Sequence, residues 1–180
     1  MTGNEEVAAL FLERSRHFLS FEYPAKIRAC VASLSYEAIW RRPDEDSNSI
    51  GNLLLHLAGN IRQWIVSGIG GAVAERDRAA EFAARDGPPA SELLELLELA
   101  VNEADAVLAG LTERDLTQAV TIQGRDTTVI AALYHVVEHF SMHTGQIILL
   151  AKMYAPGTIS FYEDAGGLAI PRWGGSEGMA

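Results

Sequence analysis

The sequence predicts an all-α fold, a four-helix bundle, on three observations. Four long segments repeat apolar residues at helical spacing. Strand-like alternation is confined to one short stretch. The strongest breakers, Gly87-Pro88-Pro89 and Pro156-Gly157, fall between or after the helical segments rather than inside them. At 180 residues the chain suits one domain with a substantial core, the bundle spanning about 4–155 and an irregular C-terminal extension covering 156–180.

The first helical segment runs from about Asn4 to Leu34, with a bend or break expected near Pro24, whose ring removes a backbone donor. The second is DSNSIGNLLLHLAGNIRQWIVSG, with Ser47 or Asn48 as N-cap and Gly68 near the stop. The third, SELLELLELAVNEADAVLAGL, follows the GPP breaker with Ser91 as cap, and its glutamates lie opposite its leucines. A hairpin is expected in AVTIQGRDTTV, which alternates around a glycine turn. The fourth helix begins near Asp126 or Thr127 and runs to about Tyr154. The longer connections between helices two and three, and three and four, permit a crossover. Beyond Pro156 the chain is glycine-rich, yet Phe161, Tyr162, Ile170 and Trp173 predict that it lies across the helices or against a partner.

Composition excludes several function classes. One cysteine, Cys30, rules out an internal disulfide and a thiolate-rich zinc site, so a metal here would be held by imidazole and oxygen. The net charge of −10 disfavours nucleic acid, because binding phosphate backbones relies on counterion release by cationic side chains. The acidic, amphipathic start has no signal-peptide pattern, and no apolar run approaches the ~20 residues of a membrane helix. A cytoplasmic protein with no membrane partner is the expectation.

The chemistry concentrates in HVVEHFSMHTGQI, residues 135–147. Histidines four apart on a helix lie ~6 Å apart along the axis, so two can share an ion, whereas three in a row span ~12 Å. With His139 at zero and about 100° per residue, the apolar stripe (Val129, Leu133, Val136, Phe140, Ile147, Leu150, Ala151) centres near +80°. His143 then lies at about +40° and His135 at about −40°, which favours His139 and His143 as the inward pair. Two buried imidazoles need partners, and a metal, a polar network or ordered water would each serve. A third protein ligand would come from His17 or His56. His17 sits among charges in ERSRHF. His56 lies opposite the apolar stripe of its own helix, on a face with Asn52, Gly59, Asn60 and Gln63. That face is uncharged and amide-rich, which fits a wet pocket lining better than bulk solvent.

Other motifs fit poorly. HVVEH matches the inverted zinc-protease pattern H-x-x-E-H, but the wheel turns Glu138 outward, and that class draws a distant downstream glutamate from a larger fold. A ferritin-like di-iron site needs two Glu-x-x-His pairs, and none is present. No nucleophile elbow, P-loop or dinucleotide fingerprint occurs, and Cys30 reads as a packing residue.

SIGNLLLHLAGNIRQWI (49–65), HVVEHFSMHTGQIILLAK (135–152) and the closing IPRWGGSE together resemble the DinB-like superfamily. The resemblance implies a four-helix bundle of up-up-down-down topology, a homodimer, and a divalent metal on three histidines, one from the second helix and two from the fourth. Carried over by motif, these are His56, His139 and His143. Zinc or nickel suits imidazole, with manganese or iron as further candidates. Relatives include transferases and isomerases using bacillithiol or mycothiol, so the resemblance implies a low-molecular-weight thiol or other small-molecule substrate. In that reading the metal lowers a thiol's pKa. Gln146 is expected to line the pocket; Asn52, Asn60 and His135 are expected to line it or to support the ligands from behind. No general base is assigned. A metal- or small-molecule-binding protein without turnover, and a structural bundle with metal-free histidines, stand as alternatives.

Overall fold

The computed structural model describes residues 3–73 and 75–173. The end of the IPRWGGSE motif, from residue 174 on, lies outside the described residues. The first bundle helix comprises α1 (Gly3–His17), a π-helical turn (Phe18–Glu22) and α2 (Tyr23–Val31). Pro24 does not break it. The helix widens just before the proline, where Tyr23 N–H reaches back five residues to Phe18 O, so the missing donor is absorbed by a π turn.

A one-turn helix, α3 (Tyr36–Trp40), leads to the second bundle helix, α4 (Ile50–Ile61), which ends in a π turn over Arg62–Ser67. Its N-cap is Ser49 rather than Ser47 or Asn48. Ser49 Oγ accepts the Asn52 N–H at 3.1 Å and Asn52 Oδ1 accepts the Ser49 N–H at 3.0 Å. This is a reciprocal capping box with asparagine in the third position. After Gly68 the chain recrosses the bundle, forming α5 (Arg78–Ala83) on the way to α6 (Ala90–Ala109), the third bundle helix. That helix starts one residue earlier than its expected cap: Pro89 occupies the N-cap position, so Ser91 falls in the first turn. A short α7 (Glu113–Leu116) precedes the expected hairpin, β1 (Ala119–Ile122) and β2 (Arg125–Thr128). The hairpin turns on Gln123 and Gly124, both at positive φ. Pairing of Asp126 with Thr121 and of Thr127 with Val120 keeps both residues in the ladder. The fourth bundle helix, α8 (Val129–Tyr154), therefore begins later than expected, capped by Thr128.

Cross-helix contacts fix the directions. Arg16 reaches Asp105 and Arg28 reaches Glu98, so α1–α2 and α6 run oppositely. Trp64 meets His135 while His56 meets His143, so α4 and α8 run oppositely. Tyr23 stacks on Phe140, and the Lys152 charge reaches Cys30, so α2 and α8 run together. In chain order the bundle helices run up, down, down, up, which differs from the up-up-down-down order implied by the resemblance. The reason lies in the connections: the segment through α3 and the β1–β2 segment reverse the chain, whereas residues 68–89 travel back along α4.

The returning crossover is fastened at its far end. Trp40 Nε1 donates to Pro88 O at 3.2 Å, and Arg42 donates to the carbonyls of Ser47, Phe82 and Ala84. The C-terminal extension is not irregular: β3 (Tyr162–Ala165) and β4 (Leu168–Pro171) pair antiparallel. Phe161 and Trp173 flank that hairpin and are buried on the bundle, with Lys26 Nζ 4.1 Å from the Trp173 ring. Among the described residues, no helix is long and apolar enough to cross a membrane.

A Cβ at Gly51 would stand 2.8 Å from the Trp40 ring, which is itself held by the crossover. Gly51→Ala is expected to lower stability by about 1–3 kcal/mol through overpacking, read as a lower urea midpoint. An unchanged midpoint would show that Trp40 is loosely seated.

Candidate metal centre

The face of α4 opposite its leucines is buried rather than solvated: Asn52, His56 and Asn60 are all inaccessible. The crossover covers it. Asn52, placed by the capping box, donates both amide hydrogens outward, to Glu81 O at 2.8 Å and Ala84 O at 2.9 Å. Asn52 thus docks the crossover over the pocket face instead of facing a ligand. Phe82 follows, its ring 4.5 Å from that of His56. Asn60 lies one turn beyond His56 and is buried.

From the opposite side α8 presents His139 and His143, one turn apart. His139 Nε2 lies 3.0 Å from His56 Nε2 and 3.1 Å from His143 Nε2. Among the described residues these three form the group able to hold a metal ion, with ligand atoms all within 4.8 Å of one another. Metal–nitrogen bonds of about 2.0–2.1 Å at tetrahedral angles place ligand nitrogens about 3.3 Å apart, close to these separations. His135 lies at the flank, as the wheel predicts. Its ring contacts Trp64 at 4.4 Å and His139 at 5.5 Å, outside the group. Glu138 is exposed, and His17 sits away from the site beside Glu22.

The outer nitrogens decide which tautomers face inward. His56 Nδ1 is 3.0 Å from Glu81 Oε2, and His143 Nδ1 is 2.7 Å from Gln146 Oε1. Both oxygens accept, so each Nδ1 carries the proton and each Nε2 turns a lone pair inward. Arg76 Nη2 also comes within 3.0 Å of His56 Nδ1. It cannot accept that proton, and its own hydrogens go to Glu81 Oε2 at 2.8 Å and His56 O. His139 Nδ1 is buried without a hydrogen-bond partner. A neutral His139 has one proton, so at most one hydrogen can be shared among the three Nε2 atoms. The protein alone therefore leaves buried lone pairs facing each other, and a cation would satisfy all three. This donor set of neutral imidazoles fits a divalent ion of the zinc or nickel type.

Electrostatics keep the group ready for a cation. Burial, reinforced by the charges of His143, His56, His135 and Arg76, pushes His139 down to about 3. Burial also lowers His143, against the hydrogen bond to Gln146. Burial would raise Glu81, but hydrogen bonds from Arg76 and His56 outweigh it and hold the carboxyl below its usual range. Cys30, by contrast, is buried and pushed up to about 11, a packed thiol. Gln146 stands at an exposed position on a cleft of about 290 Å³ with Asp46, Ser47, Asn48 and Leu53.

Arg76, Glu81 and Phe82 were not anticipated from the sequence. They lie in a stretch without helical period, Glu81 and Phe82 in a helix of six residues and Arg76 in the loop just before it. The available signal was indirect: an uncharged, amide-rich face on α4 has to be covered by something.

The profile of the family described as "Protein of unknown function (DUF1572)" matches residues 6–162. The chain belongs to that family. It is a DinB-like family, and solved structures share its fold. A DinB-like protein from Bacillus cereus aligns with a TM-score of 0.63 at 20% identity, over 81% of this chain and 95% of that one. YfiT from Bacillus subtilis, described as "a probable metal-dependent hydrolase with an unusual four-helix bundle topology", aligns at 0.66 and 18% identity, over 79% and 86%. A conserved protein from Enterococcus faecalis aligns at 0.67 and 14%, over 79% and 95%. No curated protein matches the chain in sequence. At these identities the likeness establishes the fold.

The depressed histidines predict how metal-free protein responds to acid. Below about pH 6.5 the unfolded chain takes up protons that folded His139 and His143 refuse, so stability is full above that value and falls toward pH 3. For His139 the slope is about 1.4 kcal/mol per pH unit. Urea unfolding in chelator at about pH 7 and about pH 5 should show a larger loss for wild type than for His139→Gln. Equal losses would contradict the assignment.

Proposed function

We propose that this chain is a divalent-metal protein with His56, His139 and His143 as ligands, and a metal-dependent enzyme that activates a thiol or a water. One observation carries this reading: His139 Nε2 lies 3.0 Å from His56 Nε2 and 3.1 Å from His143 Nε2, while the outer nitrogens of His56 and His143 are committed to Glu81 and Gln146. A divalent ion on three neutral ligands keeps its positive charge and lowers the pKa of a thiol or water brought to it.

The chain's own residues do the rest. Glu81 and Gln146 hold two imidazoles in the tautomer that offers Nε2. Phe82 covers the His56 ring and keeps water from that side. Gln146, on the Asp46–Leu53 cleft, offers its amide to a ligand entering there. A small molecule is the substrate class that such a cleft admits.

Thiol transfer is the favoured activity, on the sequence resemblance to bacillithiol- and mycothiol-dependent relatives. Water activation is the second, because the YfiT neighbour is described as a probable hydrolase. A homodimer and a cytoplasmic setting belong to the same proposal. The homodimer rests on the sequence resemblance, and the cytoplasmic setting goes with the low-molecular-weight thiol of that reading.

Protein purified without a polyhistidine tag under metal-replete conditions should carry close to one ion per chain. His139→Ala should abolish binding and His135→Ala should leave it intact. Equal effects of the two substitutions, or a metal-free wild type, would overturn the site. Metal-loaded protein assayed with electrophiles plus a thiol, and separately with esters and amides, divides the activities. Turnover in the first panel, lost in His139→Ala, supports thiol transfer; turnover confined to the second supports hydrolysis.

A further inference from the structure

The crossover brings one ion pair to the back of the histidine group. The Arg76 and Glu81 side chains are 6% and 11% exposed, so the pair is nearly dry. Arg76 grips the carboxylate with a fork, Nε to Oε1 at 2.7 Å and Nη2 to Oε2 at 2.8 Å. Its third nitrogen, Nη1, donates to Gln63 Oε1 at 2.7 Å, anchoring the guanidinium to the π turn after α4. A fork of this kind fixes both the position and the plane of a carboxylate.

The helix beneath is shaped for the pair. Gly59 lies three residues after His56, and a Cβ there would run into Glu81 Oε1 and stand 2.8 Å from Arg76 Nε. Any other residue would push the pair off the helix. Within this notch Glu81 Oε2 sits 3.0 Å from His56 Nδ1. The other two imidazoles are held differently: Gln146, a neutral amide, meets His143, and His139 Nδ1 has no partner.

We propose that Glu81, locked by Arg76 in the Gly59 notch, is the positioning residue that makes His56 an Nε2 ligand and ties the crossover to the bound ion. This rests on the reading of the three histidines as a metal site. Without a fixed acceptor, His56 would divide between two tautomers, one of which points a proton at the ion. The carboxylate removes that choice and makes the inward nitrogen more basic. The same contact runs through the α5 segment, so an ion that holds His56 also holds the crossover, and the two are linked reciprocally.

The test uses the full chain and zinc(II), with affinity measured by competition against a chromophoric chelator. Glu81→Ala, which removes the acceptor, should weaken binding by about 10- to 100-fold. In 15N imidazole spectra of the zinc-loaded chain, wild-type His56 should show a protected Nδ1–H, which Glu81→Ala should lose. His143 should be unchanged in both. Gly59→Ala keeps every polar group but displaces the pair, and should weaken zinc in the same direction; it also carries the test if Glu81→Ala melts out. Zinc affinity within about twofold of wild type in both variants, with the His56 signal retained, would overturn the positioning role while leaving the three-histidine site standing, since the expected loss is at least tenfold. A wild type that binds no zinc would overturn both, and so separates failure of the site from failure of this role.

Discussion

Three imidazole lone pairs inside a protein repel one another unless something positive stands between them. The fold brings the Nε2 atoms of His56, His139 and His143 to that arrangement and removes the alternatives. Two outer nitrogens are committed to acceptors, and the third is buried without one. Burial also pushes His139 down to about 3 and lowers His143, so it disfavours protons in the gap. A hydrogen-bonded network among the histidines would need more protons than neutral rings supply. This imbalance separates a metal site from a core in which histidines merely pack.

Bundle topology makes the arrangement reachable. Antiparallel α4 and α8 lay His56 against the His139–His143 turn, and the returning crossover closes the side that helix packing leaves open. The polar residues of α4 divide the labour. Asn52 caps its own helix and pins the crossover backbone, while Gly59 leaves room for a carboxylate that the backbone path then delivers. Much of this chain's unusual composition on one helix face therefore serves the covering segment, and through it the histidine group.

The bundle, the four long helices and the first hairpin were legible in the sequence, because helical period, glycine turns and proline breakers are local signals. His139 and His143 were legible for the same reason: the wheel of α8 places them toward the apolar stripe. Helix starts at Ser49 and Thr128 were displaced by a residue or more, where a capping box or a strand ladder took precedence over the nearest polar residue, and α6 begins directly after Pro89 with no side-chain cap. The face of His56 read as solvated by period and as a pocket by composition, and composition was the better guide. Arg76 and Glu81 were invisible, since their role depends on a 22-residue return path (68–89) that no short-range pattern encodes. The direction of the helices was likewise a property of the connections, and the β3–β4 pairing was hidden by glycine-rich sequence.

The central claim, an ion shared by these three nitrogens, is tested most directly by anomalous diffraction from a zinc-loaded crystal of the full chain. The account predicts one strong peak among the three Nε2 atoms, at about 2.0–2.1 Å from each, with His135 outside bonding distance. A peak on His135 and His139, or saturating zinc with no peak at His56, would contradict it.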